Sequence, residues 1–151
     1  MKNTFHKLVT ASLLGYTVLL SYWMLIGFGR GYRFTYSSYM YNLVPFKTIR
    51  HFLQFDKFNT EIWVVNLLGN IGVFMPFGFL LPFVIGVGLR KSYVVFFLGL
   101  FLLESQQFLL RRGSFDIDDF ILNSVGFVIG YGMYKMFMMI KAKYARRPNE
   151  G

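Results

Sequence analysis

Four hydrophobic stretches separated by polar segments dominate the pattern of this chain. They cover residues 8–28, 62–86, 92–110 and 120–140, and each reaches the roughly 17–25 residues that a helix needs to cross a bilayer. The first two contain no charged residue, the third contains only Glu104 and the fourth only Lys135. None alternates with the period of a barrel strand. Because a backbone inside a bilayer must satisfy its own hydrogen bonds, the pattern predicts an all-α polytopic membrane protein with four transmembrane helices.

The connections between these segments are unequal in length. About 33 residues, 29–61, separate the first two predicted helices and are rich in aromatic and basic side chains. Aromatic rings favour the membrane–water interface, so we expect this loop to lie against the membrane surface, with a short helix over 48–55. The other connections are short and no repeat is visible, which predicts a single domain over 1–151.

Composition and charge agree with a membrane protein. Hydrophobic residues make up 55% of the chain, charged residues only 15%, and the mean hydropathy is +0.46, which is too apolar for an ordinary soluble domain. The net charge of +9 comes from basic residues at the ends of the apolar segments. That placement suits anionic lipid head groups, so no nucleic-acid partner is predicted. Without cysteine, disulfides and thiolate chemistry are excluded.

The first apolar segment is predicted to be a retained membrane anchor. A cleaved signal peptide is the alternative, but 21 uncharged residues exceed a usual signal core and no small-residue cleavage site follows. If the helices alternate in direction, eight basic residues lie on the side of the termini: Lys2, Lys7, Arg90, Lys91, Lys141, Lys143, Arg146 and Arg147. Seven lie on the other side: Arg30, Arg33, Lys47, Arg50, Lys57, Arg111 and Arg112. The excess and its C-terminal cluster predict cytoplasmic termini.

One polar stretch, residues 100–131, holds four of the seven acidic residues of the chain. Ionisable groups at membrane depth are costly and commonly functional. Residues three and four apart share one face of a helix, so the spacings predict polar stripes on three helices that converge in one leaflet. The sequence therefore predicts a polar pocket that opens to one membrane surface and is formed by Asn66, Asn70, Glu104, Gln107, Arg111, Arg112, Asp116, Asp118, Asp119 and Asn123.

Structural explanations for the same residues stay open at this point. The asparagines and Gln107 are also suited to hydrogen bonds between helices. The three aspartates are suited to capping the fourth helix, and Glu104 to a structural ion pair with Arg111 or Arg112. Gly126 and Gly130 form a GxxxG pattern, which we interpret as helix packing.

The chain contains no HExxH motif, no GxSxG motif and no phosphate-binding glycine loop. Both histidines lie outside the polar stretch, and we expect neither a metal ion nor another cofactor. Asp116, Asp118 and Asp119 are weak candidates for a divalent cation. Glu104 is the candidate for acid–base catalysis if the protein is an enzyme.

Four sequence blocks resemble the VanZ-like membrane proteins. They are NLVPFKTI (42–49), NLLGNIGVFMPFGFLLP (66–82), ESQQ (104–107) and RRGSFDIDDFILNSVGFVIGY (111–131). Their order and spacing fit that family over about two-thirds of the chain. The family pattern matches Asn66, Asn70, Pro76, Gly78, Glu104, Gln107, Arg112, Asp116, Asp118, Asp119, Asn123 and Gly126.

The resemblance implies a protein of the bacterial plasma membrane, and some relatives lower susceptibility to teicoplanin and related lipoglycopeptides. Our first hypothesis is a non-enzymatic envelope protein whose outward-facing pocket engages a lipid, a lipoglycopeptide or the head group of a cell-wall precursor. The alternative is an intramembrane enzyme that acts on a lipid-linked substrate with Glu104 and the aspartate cluster. A small transporter is a third hypothesis. The residues specify no oligomeric state.

Overall fold

Helices account for 82% of the structure, a computed structural model that describes residues 2–27, 39–54 and 64–145. Its long helices are α1 (Lys2–Leu25), α3 (Gly69–Ile85), α4 (Leu89–Leu109) and α5 (Ile117–Ala145), and α2 (Lys47–Phe52) is short. A π-helical turn, Val64–Leu68, leads into α3. The predicted all-α class is therefore confirmed.

Three helical segments of the described residues are long and apolar enough to cross a membrane: Asn3–Leu25, Val64–Ile85 and Leu89–Leu109. They correspond to the first three predicted transmembrane segments. The fourth predicted segment, 120–140, lies within α5, so its helical structure is confirmed. Its passage through the bilayer stays a prediction.

About half of the predicted loop 29–61 lies outside the described residues, at 29–38 and 55–61. Its described part contains α2, close to the short helix predicted over 48–55, and a two-residue strand, β1 (Tyr41–Asn42). β1 pairs in parallel with β2 (Phe115–Asp116), just before α5. This bridge joins the loop to the end of the helix bundle where α1 and α4 end and where α5 begins.

Glycines bring α3 and α5 into backbone contact. A Cβ atom added at Gly126 would lie 2.1 Å from the carbonyl oxygen of Ile71, and one at Gly130 would lie 2.0 Å from that of Met75. Both pairs advance by four residues, so the two helices run parallel. Small residues allow membrane helices to approach this closely, and the packing predicted from GxxxG is confirmed.

Aromatic rings fill the space between the helices. Phe96 of α4 stacks on the fully buried Phe127 of α5, with ring centroids 4.5 Å apart, and Phe74 of α3 packs edge-on against Phe96. At the opposite end of the bundle from β1, Phe5 of α1 contacts the ring of Phe83 and lies beneath the ammonium group of Lys141. The start of α1 and the ends of α3 and α5 therefore share one end of the molecule.

Candidate functional site

Asp116 fastens the loop segment that contains β1 to the start of α5. Its carboxylate accepts hydrogen bonds from Asn42 Nδ2 at 3.0 Å and from Thr48 Oγ1 at 2.5 Å. It also accepts the backbone N–H of Asp118 at 2.9 Å. The described contacts of Asp116 are thus hydrogen bonds within the protein.

Asp118 is fully buried and caps helix α2 from a distant part of the chain. Its Oδ2 accepts the backbone N–H groups of Thr48 (2.7 Å) and Ile49 (3.0 Å), and its Oδ1 accepts that of Phe46 (2.5 Å). Phe46 occupies the N-cap position with a φ of 63° and offers no side-chain cap. The first turn of a helix leaves its N–H groups without intrahelical partners, and Asp118 satisfies them with a charge that also suits the helix dipole.

Asn70 and Asp119 link α3 to α5. Asn70 Nδ2 donates to Asp119 Oδ1 at 2.9 Å. Asn66 lies one turn earlier, half-buried on the π-helical turn. Asn66 and Asn70 were predicted to face the start of α5, and Asn70 makes a direct hydrogen bond to it.

Gln107 and Arg112 cap the C-terminal end of α1. Gln107 Nε2 donates to the carbonyl of Met24 at 2.7 Å, and Arg112 Nη1 donates to that of Leu25 at 2.8 Å. The last carbonyls of a helix lack intrahelical donors, and a cation at that end is favoured by the helix dipole. Both side chains therefore hold α1 against the end of α4.

Glu104 and Asn123 are buried inside the bundle. Glu104 is 2% exposed and Asn123 is 1% exposed. The burial of Glu104 follows from its position, because Phe96, Leu100, Glu104 and Gln107 form one inward-facing row on α4. The Oδ1 atom of Asn123 accepts no hydrogen bond from the residues that the structure describes.

Arg111, by contrast, is exposed at the end of α4, where its backbone adopts a left-handed φ of 54°. Its guanidinium lies 4.7 Å from the centre of the Tyr39 ring. Cations are attracted to the faces of aromatic rings, so this contact holds the guanidinium at the surface.

A second basic surface lies on α2. Lys47, Thr48, Arg50 and His51 line a depression of about 520 Å³ together with the chain at Val44 and Pro45. Because Asp118 holds α2 on the start of α5, these cations are fixed at the same end of the bundle as Arg111. We call the set Lys47, Arg50 and Arg111 the basic rim.

Sequence reasoning did not single out the four partner and rim residues Asn42, Thr48, Lys47 and Arg50. Three of them could have been found from the sequence, because Asn42, Lys47 and Thr48 fall in the block 42–49 that resembles the VanZ-like proteins. Four depressions on the described surface are lined by residues other than the ten predicted pocket residues. The predicted open pocket therefore stays a prediction. Within 2–27, 39–54 and 64–145, no group of three His, Asp or Glu side chains is arranged to hold a metal ion.

The helices and their apolar surfaces define a helical membrane protein. A family model described as VanZ/LLP1 matches residues 13–138, which include every described residue of the site. The chain belongs to the VanZ-like family. No curated protein matches the chain, and no solved structure matches it.

Proposed function

We propose that this protein crosses the bacterial plasma membrane four times and binds the anionic head group of a lipid or lipid-linked cell-wall precursor at its basic rim. The observation that carries the proposal is the cap on α2. Two buried aspartates, Asp116 and Asp118, hold a short helix that exposes Lys47 and Arg50 at the end of a membrane bundle. Guanidinium and ammonium groups form charge-assisted hydrogen bonds with phosphate.

The surroundings of α2 support its placement at the membrane surface. Tyr41, Leu43, Val44, Phe46 and Leu53 are exposed apolar or aromatic residues on this segment. An exposed apolar surface flanked by basic residues is typical of helices that lie in the membrane interface. In that position, the cations would meet the phosphates of neighbouring lipids.

The packing of α5 supports a fourth crossing of the membrane. The 21 residues of 120–140 span about 31 Å at 1.5 Å per residue, close to the thickness of the hydrocarbon core. α5 also follows α3, an apolar helix of sufficient length, from Gly126 beside Ile71 to Phe137 beside Phe83. If α3 crosses the bilayer, α5 must cross it as well, because the two helices are packed side by side.

Binding is tested by native mass spectrometry of the purified protein with short-chain phosphatidylglycerol or phosphatidylcholine. We expect retention of phosphatidylglycerol to fall about tenfold in the double variant Lys47→Gln/Arg50→Gln, because juxtamembrane cations each contribute to the binding of anionic lipids. The matched control, Arg90→Gln/Lys91→Gln, removes two exposed cations from the opposite end of the bundle. Equal retention by the two double variants would exclude α2 as the head-group site.

Membership of the VanZ-like family extends the proposal to lowered susceptibility to teicoplanin and related lipoglycopeptides. A head group that is bound to the basic rim would be less accessible to such a drug. We expect expression of the protein in a susceptible host to raise the inhibitory concentration of teicoplanin and the Lys47→Gln/Arg50→Gln variant to lose that effect. Unchanged susceptibility with the wild-type protein present in the membrane would contradict this extension.

A further inference from the structure

An apolar groove of about 760 Å³ runs between α4 and α5. Its walls include Phe97 and Phe101 of α4 and Phe120, Val125, Val128 and Ile129 of α5. Two polar side chains in its lining, Tyr93 and Ser124, hydrogen-bond to each other, with their oxygens 2.8 Å apart. Because these two hydroxyl groups bind each other, the lining is suited to a hydrocarbon chain. The volume lies within the roughly 300–1,000 Å³ of ligand-binding clefts.

The length of the groove favours a lipid chain over a partner helix. Along α5 it extends from Ile117 to Ile129, about 18 Å at the helical rise per residue. That length is close to half of the hydrocarbon core, which is about 30 Å thick. A transmembrane partner would require a surface across both leaflets, whereas one acyl or isoprenoid chain occupies a single leaflet.

A row of aromatic rings connects the groove to Arg111. The ring of Phe101 contacts Phe115 at 6.3 Å, Phe115 contacts Phe108 at 6.0 Å, and Phe108 contacts Tyr39 at 4.9 Å between centroids. The Arg111 guanidinium lies over Tyr39, the last ring of the row. Phe115 also lines a second apolar depression, of about 470 Å³, beside Phe108. The apolar surface therefore continues from the groove to an exposed cation.

We propose that the groove holds one hydrocarbon chain of a lipid whose phosphate-bearing head group carries a net negative charge, and that Arg111 pairs with that phosphate. A guanidinium is well suited to phosphate because its donors match two phosphate oxygens. The inference rests on the proposed function in two respects, the passage of α5 through the bilayer and the binding of a head group at the basic rim, to which Arg111 belongs. It adds that the ligand is a membrane lipid recognised by its chain as well as by its head group.

Photo-crosslinking of a lipid chain tests the groove. The protein is reconstituted in phosphatidylcholine vesicles that contain a small fraction of phosphatidylglycerol with a diazirine in one acyl chain. After irradiation, adducts are mapped by mass spectrometry. We expect adducts at Phe97, Val125 and Val128 in excess over Leu98, which is 58% exposed on α4 but does not line the groove.

Two variants make the comparison sharper. Val128→Trp puts a large side chain at a groove position that is 53% exposed, and we expect it to lower groove adducts about tenfold. Leu98→Trp, the matched control, should leave them unchanged. Arg111→Gln should lower adducts from the phosphatidylglycerol probe about tenfold. It should leave adducts from a phosphatidylcholine probe with the same chain nearly unchanged, since the choline ammonium offsets the phosphate charge.

The outcomes separate this inference from the proposed function. Equal adducts at groove and non-groove positions in the wild-type protein would overturn it. So would disulfide-linked dimers of Val125→Cys in place of lipid adducts, because a second copy would then fill the groove. If groove adducts persist while Lys47→Gln/Arg50→Gln retains phosphatidylglycerol fully, the head-group site on α2 fails and the chain site stands.

Discussion

The carboxylate of Asp118 accepts the backbone N–H of Thr48 at 2.7 Å, although the two residues are 70 positions apart in the chain. The same carboxylate binds the N–H groups of Phe46 and Ile49. A capping interaction usually comes from a side chain within the same helix. Here it joins α2 to the start of α5, so that Lys47 and Arg50 of the basic rim are held by the protein core.

We expect Asp118→Ala to release α2. Three backbone N–H groups would lose a charged acceptor, at a cost of roughly 1–3 kcal/mol. Amide hydrogen exchange at Thr48 and Ile49 should become faster, while exchange around Leu100 in α4 stays slow. Gln54→Ala is the control, because Gln54 is exposed just beyond α2. Unchanged exchange at Thr48 in Asp118→Ala would contradict the capping role.

Gly126→Ala should lower stability and abundance in the membrane. The added methyl group would lie 2.1 Å from the carbonyl oxygen of Ile71, so α3 and α5 would have to separate, at about 1–3 kcal/mol. Gly126→Leu should have a larger effect. The control is Gly132→Ala, in the same helix, where an added Cβ meets no atom within 4 Å and helix propensity favours alanine. Thermal unfolding in detergent and immunoblots of membranes measure both variants, and equal stability would exclude tight packing at Gly126.

Helical periodicity was sufficient to predict the inward row on α4 and the glycine contact on α5. Glu104 and Gln107 are buried on one face of α4, and Gly126 contacts a neighbouring backbone, whereas Arg111, which the same spacing placed with Glu104 and Gln107, is exposed. Both inferences depend only on which face of a helix a residue occupies.

The partners of the polar residues could not be predicted in this way. Asp118 binds backbone N–H groups, and Gln107 and Arg112 bind backbone carbonyls. Every residue has a backbone carbonyl, and every residue except proline has a backbone N–H. The residue types in the sequence therefore do not reveal these partners. The same spacing of aspartates is therefore compatible with an open pocket and with a capped loop, and the contacts of Asp116 and Asp118 are those of a cap.

Glu104→Gln separates the binding hypothesis from the enzyme hypothesis. The substitution keeps the shape of a buried side chain and removes the carboxylate, so an acid–base reaction that depends on Glu104 should fall by about 100-fold or more. If the activity requires the carboxylate, a host that expresses Glu104→Gln should be as susceptible to teicoplanin as the same host without the protein. The variant should nevertheless be as abundant in the membrane as the wild-type protein. Gln106→Ala, a neighbouring exposed position, is the control. Full activity of Glu104→Gln would exclude the acid–base alternative.

The last prediction concerns orientation and the fourth crossing together. The chain has no cysteine, so single cysteines at the exposed positions Gln54, Lys91 and Lys143 are unique sites for an impermeant thiol reagent. On intact cells we expect label at Gln54 only, with Lys91 and Lys143 labelled after permeabilisation, because the basic residues on the side of the termini favour the cytoplasm. Label at Lys91 and Lys143 but not at Gln54 would invert the orientation and place the basic rim inside the cell. Label at Gln54 and Lys143 without Lys91 would show that α5 does not cross the bilayer, which would remove the basis for a lipid chain between α4 and α5.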